Sequence, residues 1–435
     1  MLSSRYTRRS SLILLALSGV FCASTWMYVS RVLVPQQVAY SEIHGNPRGN
    51  LSDLYPRWLG SRELLLRGRD PYSPEITREI QIGYYGRPLD PQRPYDPGDQ
   101  EAFAYPVYVA LLLAPTVKMS FPEVQVIMHW VLGGLTLLSV LLWLRVVRWN
   151  PGVIPTAAML TLTLGTFWVV QGIKLQQLSL LVAPMIAGCV YLLVKNRQVG
   201  SGILLGLATV KPQIAVPLAA WLMLWACSRI RLRWKLIASF AVTVLALAAA
   251  GEVLLPGWIH EFRAALLAYR SYTRHLSPLD EVATPMLGIP LAIAVIAVVA
   301  VMCWKTREVP ADSELFRWTT AVVLAANLLV IPTVAPYNQL LLLPGIFLLL
   351  GNWNKVQGNR AIRVLGWASA ASLAWGWVMT TVLTLFSFVT PAVQRFWTVP
   401  WWTSIVIPIP IAACLAMCLR QMQSARGDAG LATSN

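Results

Sequence analysis

Apolar runs separated by short polar and basic breaks dominate the chain from residue 11 to residue 419. The runs are continuous rather than alternating, which predicts helices packed in lipid and excludes a closed β-barrel. Twelve of them reach or approach spanning length: Ser11–Ser30, Val124–Leu144, Val153–Val170, Leu178–Val194, Gly200–Val210, Ile214–Cys227, Leu236–Leu255, Val282–Cys303, Trp318–Val334, Leu340–Leu350, Val364–Val389 and Trp401–Leu419. A thirteenth, Phe103–Met119, has Pro106 and Pro115 near its ends and is short for a core of roughly 30 Å. It is expected to lie on or re-enter the external face. The rival scheme makes it a true span and fuses Gly200–Cys227 into one helix kinked at Lys211-Pro212.

Basic clusters set the orientation. Arg145/Arg148, Lys195/Arg197, Arg229/Arg231/Arg233/Lys235, Lys305/Arg307, Lys355/Arg360/Arg363 and Arg420 all follow or precede apolar runs, the pattern of cytoplasmic loops. Both termini are then cytoplasmic. The first run, behind Arg5, Arg8 and Arg9, is about twenty residues long and reads as a retained span rather than a cleaved leader. The expectation is an all-α polytopic protein, a single domain over 1–435 with about 12 transmembrane helices and external juxtamembrane helices. It would sit in the inner or plasma membrane as a multi-pass monomer.

Composition agrees with that pattern. The chain is 56% hydrophobic and only 12% charged, too few charges for a soluble protein of 435 residues. The net charge of +16 is scattered over span ends, so it calls for no nucleic acid partner. Trp397, Trp401 and Trp402 fit an interfacial aromatic belt. The six cysteines lie inside apolar runs and the four histidines lack ligand spacing, so neither a disulfide framework nor a metal site is expected.

The polar residues concentrate in one place. The first external loop, 33–102, holds Glu42, Asp53, Glu63, Asp70, Glu75, Glu79, Asp90, Asp96, Asp99 and Glu101, more than half of the acids in the chain. A second external loop, 256–281, and the short turn Gln171–Gln177 complete that face. Within the first loop, Leu54–Leu66 has the apolar stripe, early proline (Pro56) and trailing glycine (Gly68) of a helix. Asp53 stands at its start. It either caps a backbone amide or, with Ser52 as the cap, points elsewhere as an ionised carboxylate beside Arg57, Arg62, Arg67 and Arg69. Asp70-Pro71-Tyr72 predicts a turn.

Several cations face the same side. Lys211 follows roughly 16 Å of apolar helix and would either snorkel at a proline kink or meet an anion at membrane depth. Lys174, beside Gln171, Gln176 and Gln177, is either an interfacial lysine or a second anion ligand. Arg263, Arg270, Tyr272, Arg274 and His275 form a basic and aromatic cluster, suited either to anionic headgroups or to a lipid phosphate and a sugar. Asp280 and Glu281 are expected to cap the next span. Tyr337-Asn338-Gln339 reads as an external turn that could also line the same cavity.

The run Asp53-Leu54-x-x-x-Trp58, followed by Arg62-x-Leu64-Leu65-x-x-Gly68-x-Asp70-Pro71-Tyr72, resembles the opening signature of glycosyltransferase family 87. Phe103-x-Tyr105-Pro106 with Ala114-Pro115 is similar to the Tyr-Pro-Pro segment of that family, with Val107 in place of the second proline. Gly202-x-x-x-Gly206-Leu207-Ala208-x-x-Lys211-Pro212-Gln213 is similar to its glycine-rich helix. Leu175-Gln176-Gln177-Leu178-Ser179 matches the family's Gly-Gln-x-Asn turn only loosely. The likeness covers the first half of the chain; the second half agrees in hydropathy alone.

The resemblance implies a membrane-embedded GT-C enzyme that moves a sugar, a hexose such as mannose, from a polyprenyl-phosphate donor to a lipid or glycan acceptor. It implies inversion at the external face, with Asp53 as general base. Substrate contacts would come from Tyr55, Arg57, Arg62, Asp70, Tyr72, Tyr105, Lys174, Gln177, Lys211, Gln213, Arg270, Tyr272, Arg274 and His275. No cofactor or metal is expected beyond the lipid-linked co-substrate. The competing reading is a transporter or a flippase for lipid-linked sugars, but such proteins place ionisable groups within their spans. Here the polar residues lie outside them.

Overall fold

The computed structural model describes residues 8–44, 52–90, 92–273, 276–332, 334–356 and 358–432. Among these residues helices account for all regular structure, and no strand occurs. Five helices are long and apolar enough to cross a bilayer: Arg8–Ile43, Phe121–Val146, Ile230–Leu254, Pro285–Thr306 and Arg360–Ser387. A sixth is added if Val153–Leu164 and Phe167–Lys174, bent by 55°, form one broken span. The expected twelve spans are therefore not all met by length and composition. Four of them become the shorter apolar helices Ser179–Val194, Gln198–Val210, Pro212–Cys227 and Pro336–Gly351.

The physical reason is that the chain breaks where its turn-formers lie. The run Val153–Val170 bends at Gly165-Thr166, where Gly165 lies so close to the Cα of Cys22 that a side chain has no room. Lys211, with Pro212 behind it, leaves helical geometry at φ −123°, ψ 79° and starts a new helix at Pro212. By contrast, the first helix is longer than expected. It runs through a π-turn at Val29–Leu33 into Val34–Ile43, and so takes the start of the predicted loop with it. The final helix runs from Pro408 to Ala432, well past the apolar run that ends at Leu419.

Phe103–Met119 does not span. Its only helices are Val109–Leu113 and the 3₁₀ turn Ala114–Thr116, held between Pro106 and Pro115. The scheme that made it a membrane crossing fails on that ground.

Large apolar side chains cover the outside of the bundle. Val242, Leu245, Ile289 and Ile293 are each more than 60% exposed, and Ile230–Leu254 is buried over only 11% of its most apolar window. Apolar faces of that extent suit lipid and not water. In lipid, helices hold together by close packing rather than by the hydrophobic effect. Gly202 and Gly206 show this: a Cβ on Gly202 would fall 2.7 Å from the Leu236 carbonyl and 2.8 Å from the Phe240 amide. One helical turn on, Gly206 meets Thr243 in the same way.

The polar stretch after the first helix packs around two helices rather than as a coil. Tyr55–Arg67 ends at Gly68, whose φ of 65° is the left-handed C-cap conformation. Pro74–Tyr85 begins at Ser73, whose hydroxyl accepts from the Ile76 amide at 3.3 Å. Buried Glu63 joins them: it accepts from Arg67 and Arg69, and Arg69 reaches Glu79 at 2.6 Å. Two of the four arginines expected near Asp53 are thus tied up in a structural network.

Candidate active site

Six segments converge at one end of the bundle. They are the start of Tyr55–Arg67, the irregular stretch 99–105, the turn 174–179, the break at Lys211, the 3₁₀ segment Pro336–Leu342 and the end of the Trp258–Tyr272 helix. Local chain geometry aims the key side chains into that meeting point. The helix N-cap is Leu54 with no side-chain cap, so neither Ser52 nor Asp53 takes the expected capping role. Ser52 Oγ accepts from the Leu54 amide at 3.2 Å, and the Asp53 carboxylate turns elsewhere. Its Oδ2 accepts from Nε2 of Gln177, 124 positions later in the chain. Gln177 is presented by Gln176, which sits at φ 48° and reverses the chain after Phe167–Lys174.

Lys211 completes the centre. It is 4% exposed, and its Nζ donates to Ser179 Oγ at 2.5 Å and to Gln177 Oε1 at 3.4 Å. Ser179 in turn donates to Asn338 Oδ1 at 2.7 Å, and the ammonium lies 5.0 Å from the ring centre of Tyr337. The orientation of the Gln177 amide follows from chemistry. An ammonium can only donate, so the oxygen must face Lys211 and the NH2 must face Asp53.

Arg57 is the second cation. Its guanidinium donates to the backbone carbonyl of Asp53 and lies 4.7 Å from the ring centre of Tyr105. Burial works against its charge, but Tyr105, Glu101 and Asp53 outweigh it and hold the group well above its ordinary range. Tyr269 and Tyr272 close this side, with ring centres 5.6 Å apart. Burial, reinforced by Asp99, pushes the Tyr269 phenol up to about 12. Two buried donors here, Arg57 Nε and Tyr272 Oη, have no hydrogen-bond partner among the described residues.

The remaining expected site residues divide cleanly. Tyr105 belongs to the centre, and Tyr72 supports it by donating to the Tyr105 carbonyl at 2.6 Å. Asp70 makes the predicted turn, accepting from the Tyr72 amide at 2.9 Å. Tyr55 packs on Phe121 at 4.9 Å and over Gly83, and Arg62 stacks on Trp58 at 5.2 Å. Both act in packing the loop. Lys174 is turned toward the first helix, where it donates to Gln37 at 2.9 Å. The Gln213 side chain is exposed, and only its carbonyl is engaged, by Asn327. Arg270 is exposed, and Arg274 and His275 lie outside the described residues. Asp280 and Glu281 do not cap the next span. Both lie in the short helix Pro278–Ala283, where Asp280 forms a capping box with Ser277, and Pro285–Thr306 follows Thr284 with no side-chain cap.

The sequence reading did not single out Glu101, Tyr269 or Ser179, and it favoured an external turn for Tyr337 and Asn338. Tyr269 and Tyr272 are three residues apart and so share a helix face, which was a usable signal. Glu101 gave none, being one of ten acids in its loop.

A buried lysine and a carboxylate turned away from its own helix meet at one polar site in an all-helical apolar bundle, the frame of a membrane protein. The chain belongs to glycosyltransferase family 87, whose model matches residues 103–332, just over half of its length. The matched stretch includes Tyr105, Gln177, Lys211 and Tyr272. It begins downstream of Asp53 and extends past the middle of the chain, further than the resemblance in the first half implied. No curated protein and no solved structure matches the chain.

Proposed function

We propose that the protein transfers a hexose such as mannose from a polyprenyl-phosphate donor to a lipid or glycan acceptor at the external membrane face. The observation that carries this reading is the Asp53–Gln177–Lys211 array, which sets a carboxylate and a buried ammonium one amide apart. Asp53 takes the proton of an acceptor hydroxyl. The freed oxygen attacks the anomeric carbon from the face opposite the phosphate, a carbon–oxygen bond forms, and the bond to phosphate breaks. The configuration at that carbon inverts. The polyprenyl phosphate leaves with the bonding electrons, and Lys211 and Arg57 meet its charge.

Arg57 Nε and Tyr272 Oη, buried donors without a partner among the described residues, support a ligand rich in oxygen at this spot, because buried donors seek acceptors. The five helices, or six with the bent pair, that are long and apolar enough to cross a bilayer suit a donor whose tail stays there. The test is reconstitution of purified protein with polyprenyl-phosphate hexoses. Asp53→Asn should lower the transfer rate by about 10²- to 10⁴-fold while the protein still inserts. A rate equal to wild type in that variant refutes the role of Asp53.

A further inference from the structure

The far end of the bundle carries a second feature that the transfer reaction does not use. A cavity of about 1180 Å³ opens between the ends of Ser179–Val194 and Pro212–Cys227, the start of Ile230–Leu254 and the loop at Pro310–Asp312. Ser179 and Lys211–Pro212 mark the active-site ends of the first two helices. Each helix has 16 residues, about 24 Å at 1.5 Å per residue. The cavity and the Asp53 centre therefore lie at opposite ends of the same two helices.

Its lining is cationic and apolar together. Arg197, Arg229, Arg233 and Lys235 face Asp312 as the one acid of the wall. Arg233 is consumed in structure: it is buried, lies 3.6 Å from the Trp225 ring centre and donates to the carbonyls of Arg307, Glu308 and Val309. That clamp shapes the cavity floor. Arg229 shares a loose contact of 3.6 Å with Glu308. Arg197 and Lys235 are exposed and make no ion pair among the described residues. Beside these cations Val199 and Leu232 line the same cavity while 50% and 69% exposed, and Trp234 next to Leu232 is 53% exposed. A soluble anion would leave those side chains in water. An amphiphile would cover them with its chains and present its charge to Arg197 and Lys235.

We propose that this cavity binds the headgroup of an anionic phospholipid, with the acyl chains laid along the lipid-facing side of Ile230–Leu254. The inference rests on the chain spanning a bilayer and is independent of the chemistry assigned to Asp53. The test uses the full-length protein in zwitterionic phosphatidylcholine micelles, titrated with phosphatidylglycerol and followed by thermal unfolding. Phosphatidylglycerol should raise the midpoint saturably, whereas more phosphatidylcholine or inorganic phosphate should not. The double variant Arg197→Ala, Lys235→Ala should unfold like wild type in phosphatidylcholine alone and lose roughly ten- to thirtyfold in apparent affinity for phosphatidylglycerol. An unchanged response in that variant, or an equal response to inorganic phosphate, overturns the proposal. A photoactivatable phosphatidylglycerol gives a second measurement on the wild-type chain, which does not depend on a variant folding. Cross-links should map to residues 192–200 and 229–235, and labelling confined to other segments refutes the site.

Discussion

The side-chain amide of Gln177 donates to Oδ2 of Asp53. Its oxygen faces Lys211 Nζ at 3.4 Å, so one neutral side chain separates the acid from the ammonium. The interposed amide hydrogen-bonds to both groups at once and fixes their separation.

Replacing Gln177 tests that arrangement. Gln177→Leu should reduce kcat by about 10- to 100-fold, since Asp53 loses its fixed orientation. Gln177→Glu sets a second carboxylate against the first, which raises the proton affinity of the pair. The acid limb of the pH–rate profile should then move to higher pH. A profile that falls in rate without moving would assign Gln177 a packing role alone.

Lysines 211 and 174 should behave differently. Lys211 is buried in the centre, whereas Lys174 is bonded to Gln37 of the first helix. Lys211→Met should cost about 10²- to 10³-fold in kcat/KM for the lipid-linked donor. Lys174→Ala should change it less than about threefold, in the range of an exposed polar contact. Steady-state kinetics on the two variants, with matched membrane yields, decide the point.

Gly202 has no space for a side chain against the Leu236 carbonyl and Phe240 amide. Gly202→Val should force the two helices apart and destabilise the bundle by about 1–3 kcal/mol. The expected readout is a lower thermal midpoint in detergent and a reduced yield of folded protein. Gly134, which has open space around its Cβ position, provides the control: Gly134→Ala should leave the midpoint unchanged or higher.

The polar segment after the first helix should loosen in acid. Arg87 forms a bidentate pair with Asp96, one arm at 2.7 Å, and the Asp90 amide donates to the same carboxylate at 2.8 Å. The Arg87 hydrogen bond is the main reason that the Asp96 carboxyl is lowered from 3.8 to about 2. A lowered folded-state value means that the pair stabilises fully above about pH 4, and this is lost as pH falls through 2. Hydrogen exchange at residues 86–100 should accelerate between those limits. Asp96→Asn should exchange fast at neutral pH and show little further change on acidification.

The sequence by itself determined that the chain is helical and apolar, where most helices lie, and that Asp53 opens a helix ending at Gly68. Those features are local: apolar period, proline in the first turn and glycine at the C-cap. The turn at Asp70 was legible for the same reason.

Only the tertiary structure decided which side chains meet. Asp53 finds Gln177 across 124 residues because its carboxylate caps no helix and Gln176 reverses the chain. Lys174 turns to Gln37 and Lys211 to Ser179, although both are lysines beside apolar helices. Tyr269 approaches Arg57 while Arg270 is left exposed. One residue rotates a helical side chain by about 100°, so composition places a cluster on a loop but helix docking selects its members. Span length followed the same rule: hydropathy marks an apolar run, whereas packing against Cys22 and the breaks at Lys211 and Pro115 decide where each run bends.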